Sequence, residues 1–95
     1  MSAENTVRDN TEKRRFELSL GEGKTAFIQY AEVGEGVLAL THTEVPQEFE
    51  GQGVGGRLVK GAFEIVREGG AKIEPMCPFI SAYLRRHPEY QSLVA

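Results

Sequence analysis

The sequence predicts an α/β (α+β) domain built on a mixed sheet. An N-terminal antiparallel meander is expected first, then a helix after a glycine loop, a parallel strand and a second helix. Two observations indicate this fold class: apolar residues alternate along the first half of the chain, and after four glycines in residues 51–56 they recur at helical spacing. At 95 residues, the chain is expected to hold one domain at 14–95 after a disordered arm at 1–13.

The meander follows from alternation and glycine turns. Residues 1–13 are mostly polar, with Val7 isolated among them, so they offer little to bury. Strands are predicted at residues 15–20, 24–33 and 37–45, because apolar and aromatic side chains recur there between glycine turns at 21–23 and 34–36. Pro46 is expected to end the third strand.

The second half of the chain alternates helix and strand. The apolar stripe that begins at Val54 predicts a helix that ends at Gly69-Gly70. Residues 71–74 read as a strand that must run parallel to an earlier one, because a helix crosses between them. Pro78 suits the first position of a second helix, capped near Cys77 and stopped by His87-Pro88. Tyr90, Leu93 and Val94 are expected in a last short strand or turn.

Composition excludes several classes of protein. A formal net charge of −3 argues against general nucleic-acid binding. No apolar run approaches the roughly 20 residues of a membrane span, and the N-terminus lacks the apolar core of a signal peptide. A single cysteine forms no internal disulfide and fits a cytoplasmic location, and with two histidines it matches no zinc-site spacing.

The glycine loop is the main functional signal. A helix that begins in such a loop presents unpaired N–H groups and the positive end of its dipole, which together favour a phosphate. Consecutive amides from Gln52 to Gly56 are in the right place to offer this cradle. The alternative is that the glycines serve only the packing of the strand against the helix.

The residues around this loop resemble those of a known family. Residues 45–58 look like the acetyl-CoA signature of GCN5-related N-acetyltransferases (GNATs), Gln/Arg-x-x-Gly-x-Gly/Ala, although Glu50 stands where Gln or Arg is usual. The likeness extends over about residues 14–94. It is strongest to the very short GNAT-like subgroup of about one hundred residues, on His42-Thr43-Glu44-Val45, Pro75-Met76-Cys77 and His87-Pro88-Glu89-Tyr90.

The resemblance implies a protein that binds acetyl-CoA or coenzyme A and transfers acetyl to an amine. The pantetheine is expected between the strand ending near Val45 and the one ending near Glu74. The implied cofactor-binding residues are Val45, Gln52, Gly53, Val54, Gly55, Gly56, Arg57 and Cys77. Full-length relatives carry helices between their first two strands, and only Gly21-Glu22-Gly23 stands in their place here. The open acceptor side suits a protein lysine or N-terminus, or a site completed by a partner subunit in an oligomer, and leaves a small amine possible.

Three residues are candidates for catalysis. Cys77 is expected at a helix start, which favours the thiolate form of its side chain. It could accept the acetyl group, act as an acid or line the pocket, or it could be a small buried apolar residue. His42 lies near the end of the third predicted strand, where we expect it beside the glycine loop, and is a candidate base or a bonded structural histidine. Tyr83 is a candidate acid beside Leu84, the position that aligns with the family's tyrosine. Two alternatives to an enzyme stay open: a module that binds coenzyme A or an acylated partner without turnover, and a purely structural interaction domain.

Overall fold

Five strands form one mixed sheet in the order β1-β2-β3-β4-β5. The computed structural model describes residues 6–95. Neighbouring strands are antiparallel from β1 to β4, whereas β4 and β5 are parallel. The strands are β1 at Val7–Asn10, β2 at Arg15–Gly21, β3 at Lys24–Gly34, β4 at Val37–Glu44 and β5 at Lys72–Pro75. The predicted meander and the parallel fifth strand are thus confirmed.

Two helices follow the sequence pattern closely. Helix α1 spans Val54–Gly69 and α2 spans Pro78–Arg86. Gly53 and Gly70 flank α1 in the left-handed conformation, which explains why glycine stands at both ends. Cys77 is the N-cap of α2, and Pro78 takes its first position as predicted. Short 3₁₀ helices lie at Gln47–Phe49 and Pro88–Leu93.

One face of the sheet carries the hydrophobic core. Because strand side chains alternate, every second residue of β2 and β3 faces the helices. These residues pack with the buried stripe of α1 and with Ile80 and Leu84 of α2 in a single cluster. An edge contact between the rings of Phe63 on α1 and Tyr83 on α2 shows that the helices lie side by side. Neither helix covers the opposite face of the sheet, so that face is open.

The N-terminal arm differs from expectation. Residues 1–5 lie outside the described residues, but Val7–Asn10 form an edge strand paired with β2, so a disordered arm extending to residue 13 is wrong over this segment. Hydrogen bonds and one close-packed contact hold this strand in place, and the number of apolar residues in the segment does not reveal them. The Tyr30 hydroxyl donates to Asp9 at 2.7 Å, and Val7 packs against α1 at Gly61.

A buried carboxylate anchors the same strand from the open face. Glu17 of β2 is 6% exposed and accepts hydrogen bonds from Arg8 and Asn10 of β1 and from Arg15 beside it. Burial alone would raise the pKa of Glu17, but the hydrogen bonds from Arg15 and Asn10 and the charge of Arg15 outweigh it and lower the pKa. The carboxylate is therefore held in its charged form between two strands.

The C-terminal segment combines the two expected possibilities. Residues Pro88–Leu93 form a 3₁₀ helix that buries Tyr90 and Leu93, and Val94 then makes an isolated parallel bridge to Ile73 of β5. Within residues 6–95, neither helix has the length and apolar character that crossing a membrane requires.

Candidate functional site

The site begins where the parallel pair of strands ends. The pairing of β4 with β5 stops at Leu40 and Pro75, and the Met76 amide makes a last bond to the Leu40 carbonyl. Proline has no N–H to continue a ladder, so the chain leaves the sheet and turns into α2. Strand β4 runs on to Glu44 with β3 alone as its partner. The two strands therefore diverge, and a gap opens beside the second half of β4.

A β-bulge determines which side chains of β4 face this gap. Gln29 pairs with His42 and Tyr30 with Leu40, so Thr41 is an extra residue in β4. A bulge shifts the alternation by one position. Leu40 and Thr43 consequently face the helices, whereas His42 faces the open side of the sheet.

The gap leads into a cleft of about 430 Å³, within the range of small-molecule sites. It lies between the end of β4, the glycine loop and the starts of both helices. Its lining is mostly apolar apart from Thr43 and Glu50, and consists of Thr43, Val45, Phe49, Glu50, Gly51, Gly53, Val54, Gly55, Gly56 and Phe79. The structure therefore brings together five of the predicted cofactor-binding positions, which are Val45, Gly53, Val54, Gly55 and Gly56.

The start of α1 forms a backbone cradle at this cleft. The first bond of the helix runs from the Arg57 amide to the Gly53 carbonyl, so by helix geometry the amides of residues 54–56 have no partner within the helix. Gly53 offers no capping side chain, and the first turn contains no acidic residue. These amides and the helix dipole favour an anion here.

The two glycines of the first helical turn have different reasons to be glycine. A Cβ on Gly55 would lie 2.5 Å from the ring of Phe79, so packing between α1 and α2 excludes a side chain there. A Cβ on Gly56 would meet nothing within 4 Å. The packing interpretation therefore explains Gly55, whereas Gly56 keeps space beside the cradle open.

Cys77 lies one contact behind the cleft wall. It is 7% exposed, and its Sγ lies 3.5 Å from Oγ1 of Thr43, which lines the cleft. Burial alone would raise the pKa of the Cys77 thiol, but the Thr43 hydroxyl and the amides of Ile80 and Phe79 outweigh it and lower the pKa. The Cys77 side chain nevertheless makes no capping hydrogen bond to α2. The contact with Thr43 links the end of β4 to the start of α2.

His42 does not join this site. Its side chain is 60% exposed on the open face, its Nε2 lies 3.3 Å from Oε1 of Glu44, and its ring lies near Phe27. The expected place beside the glycine loop is therefore wrong for the side chain, because the bulge at Thr41 turns it to the other face.

Tyr83 lines a second groove beside the cleft. This groove, of about 310 Å³, shares Gly53, Gly56 and Phe79 with the cleft and adds Ala82, Tyr83, Arg86 and His87. The Tyr83 ring stacks on His87 with 4.1 Å between centroids. Burial, followed by the charges of Glu89 and Glu64, raises the pKa of Tyr83. It lies six residues after Cys77, about 9 Å along α2, so the structure does not bring the two together.

The two remaining predicted residues of the loop lie away from the cleft. The Gln52 side chain donates to the Glu48 carbonyl at 3.2 Å. Arg57 lies with Lys60 and Val7 along a shallow groove on the outer side of α1. Cleft residues that the sequence reasoning missed are Thr43, Phe49 and Phe79. Phe79 could have been found as an aromatic residue directly after Pro78, which begins α2. In the structure its side chain is 45% exposed.

The described part of the chain contains no cluster of side chains suited to binding a metal ion. Among residues 6–95, no group of three or more His, Cys, Asp and Glu side chains is placed to hold an ion. The chemical resources of the site are therefore backbone amides, an apolar slot and the Thr43–Cys77 pair.

The sheet splits beside a glycine-rich helix start, as the resemblance to the GNAT family implied. A family profile described as GCN5-related N-acetyl-transferase matches residues 15–93. The chain belongs to this family, as the resemblance in its sequence indicated.

Individual relatives agree with this assignment. Protein NATD1 of Mus musculus is 33% identical over 88 residues, which cover 92% of this chain and 80% of that protein. Protein NATD1 of Xenopus tropicalis is 34% identical over 88 residues, which cover 92% of this chain and 81% of that protein. The NMR solution structure of a GCN5-like protein from Staphylococcus aureus superposes with a TM-score of 0.74 at 28% identity, covering 99% of this chain and 91% of that one.

Proposed function

We propose that this protein binds acetyl-CoA in the cleft and transfers its acetyl group to an amine. One observation carries the proposal: the gap beside Thr43 and Val45 runs into an apolar cleft that ends at an uncapped helix start. A ligand with an extended arm and a diphosphate needs this combination. Membership of the N-acetyltransferase family supports the same reading.

Each part of the coenzyme has a region that suits it. The amides at the start of α1 would hold the diphosphate, where Gly53 and Gly56 leave open space. The pantetheine would lie along the unpaired edge of β4, against Val45 and the rest of the apolar lining. The second groove, with Arg86 at its wall, would receive the adenosine end.

Bound acetyl-CoA supplies an acetyl group activated as a thioester. In this arrangement the thiol end of the ligand lies toward Thr43 and Cys77. A cysteine with a lowered pKa gives up its proton readily, and the Thr43 hydroxyl lies between Cys77 and the cleft. When the amine nitrogen bonds to the acetyl carbon and the carbon–sulfur bond breaks, Thr43 can pass its proton to the leaving thiolate and take one from Cys77. The proton that the amine nitrogen loses then restores the Cys77 thiol. If Cys77 instead carries the acetyl group on its sulfur, mass spectrometry of protein mixed with acetyl-CoA alone shows one added acetyl at this residue.

The uncovered face of the sheet suggests how an acceptor arrives. Neither helix covers the side that carries His42 and Glu44, and the turn between β2 and β3 is short. A bulky acceptor, such as a protein lysine or N-terminus, can therefore approach without a wall in its way, and a partner subunit could supply one. Parallel assays with lysine peptides, N-terminal peptides and polyamines compare these acceptors.

The proposal is tested by calorimetric titration with coenzyme A and acetyl-CoA. Gly56→Val places a branched side chain in the open space beside the cradle, whereas Gly69→Val makes the same change at the other end of α1, where a Cβ also meets nothing within 4 Å. We expect Gly69→Val to bind like the wild type and Gly56→Val to lose binding while it stays folded. Absence of binding to the wild-type protein at millimolar coenzyme would overturn the proposal.

A binding module without turnover is the second candidate, and one observation favours it. No histidine or tyrosine lines the cleft among the described residues, because His42 faces the opposite side and Tyr83 lies in the second groove. In this case the protein binds acetyl-CoA in the titration but produces no free thiol with any amine. Release of coenzyme A with an acceptor present, measured with a thiol reagent, identifies the enzyme.

A further inference from the structure

Glu50 stands out in the cleft by its charge. It is exposed, follows the 3₁₀ helix at Gln47–Phe49 and is the one charged residue of the cleft lining within the described part of the chain. Its backbone is fixed, because its N–H donates to the Gln47 carbonyl at 3.1 Å. The neighbouring acid, Glu48, is paired with Lys24 at 3.0 Å and lies outside the cleft lining. A negative charge therefore lines the same cleft as the anion cradle, with no ion pair among residues 6–95 to offset it.

We infer that Glu50 is a specificity-determining residue that weakens the binding of any ligand held by its phosphates alone. The inference rests on the proposed function. The amides at the start of α1 provide hydrogen bonds and about half a positive charge, and the exposed carboxylate of Glu50 in the same cleft offsets part of this attraction. A diphosphate thus binds well only if the rest of the ligand contributes. A pantetheine arm does so by burying itself against Val45, Phe49 and Val54.

The charge on the phosphates sets the size of this effect. A diphosphate esterified at both ends, as in dephospho-CoA, carries one charge on each phosphate. The terminal phosphate of ADP carries up to two near neutral pH. Repulsion grows with the charge of the ligand, so Glu50 opposes ADP more strongly than dephospho-CoA. The residue therefore discriminates against plain nucleotides, which would otherwise compete for the same amides.

The test compares the wild type, Glu50→Gln and Glu35→Gln by calorimetry with dephospho-CoA, ADP and pantetheine. Glu35 lies in the turn between β3 and β4, at the far end of the sheet, so its substitution changes the net charge equally without touching the cleft. At low salt we expect Glu50→Gln to bind dephospho-CoA about threefold and ADP about fivefold more tightly, with pantetheine unchanged. Both gains should shrink in about 1 M NaCl, where the Debye length is about 3 Å.

The outcomes separate this inference from the proposed function. If the wild type binds dephospho-CoA and Glu50→Gln binds it no more tightly, the role of Glu50 is overturned and the proposed function stands. An equal gain for pantetheine, or the same gains in Glu35→Gln, also overturns it. If none of the three ligands binds to either protein at millimolar concentration, both the proposed function and the inference fail.

Discussion

Gly61→Ala tests the packing of the N-terminal strand against α1. Gly61 lies in the middle of α1, where alanine is favoured over glycine by about 1 kcal/mol. Helix propensity alone therefore predicts a more stable protein. The structure predicts the opposite, because a Cβ at this position would lie 2.4 Å from Cγ2 and 2.6 Å from Cβ of Val7.

The magnitude follows from that overlap. Carbon atoms pack at about 3.5–4.0 Å, so both contacts are too short by about 1 Å. The Cβ of Val7 is fixed to the backbone, so β1 itself must move. Overpacking of this kind costs about 1–3 kcal/mol, which leaves a net loss of roughly 1 kcal/mol after the gain in propensity. Gly69→Ala, with open space at its Cβ, should instead leave stability unchanged or increase it by up to about 1 kcal/mol.

Urea denaturation and hydrogen exchange measure the two parts of this prediction. The free energy of unfolding should fall in Gly61→Ala, and the amides of Val7–Asn10 should exchange faster than those of β3. In a Val7→Gly background the cost of Gly61→Ala should disappear, as a double-mutant cycle would show. If Gly61→Ala is more stable than the wild type and β1 stays equally protected, the argument from packing is refuted.

Three further predictions concern single side chains. Glu17→Gln should cost about 1–3 kcal/mol at neutral pH, because it removes the charge of a buried carboxylate that accepts hydrogen bonds from Arg8 and Asn10. Folding lowers the pKa of Glu17, so the wild type has this stabilisation at pH values above the unfolded pKa of about 4.5 and loses it as the pH falls below that value. Glu17→Gln has no carboxylate here to protonate and should not lose stability from this source, which urea midpoints across the acid range will show. Thr43→Val should raise the pKa of the Cys77 thiol, seen as a shift of thiolate absorbance to higher pH, and an unchanged titration would contradict the role of the hydroxyl. Tyr83→Phe should keep any turnover within about twofold of the wild type, because the hydroxyl lies outside the cleft, and a larger loss would restore Tyr83 as a candidate acid.

Much of the fold could be predicted because its signals are local. Alternation and glycine turns mark β2 to β4, the apolar stripe of α1 ends at Gly70, and Pro78 marks the start of α2. Strand β1 could not be predicted, because one apolar residue, Val7, gives no periodicity. Its attachment depends on Glu17 and Tyr30, which are distant in sequence.

The candidate site was predictable as a loop and not as a set of side chains. The glycines that line the cleft could be found from their spacing, since the direction of the backbone amides at a helix start is set by the helix itself. The place of Phe79 over Gly55 depends on how α1 and α2 pack, which no local pattern reports. His42 was misplaced for another reason: the extra residue at Thr41 leaves no mark in the sequence.

That extra residue has a consequence for comparing this chain with its relatives. In a homologue whose β4 has the same number of residues but no bulge, the residue aligned with His42 would occupy the inner surface, and the one aligned with Thr43 would project to solvent. Matching letters in that column would then describe amino acids on opposite sides of the protein. Functional equivalence along β4 must accordingly be judged by superposing backbones, since a position-by-position comparison there exchanges interior for exterior.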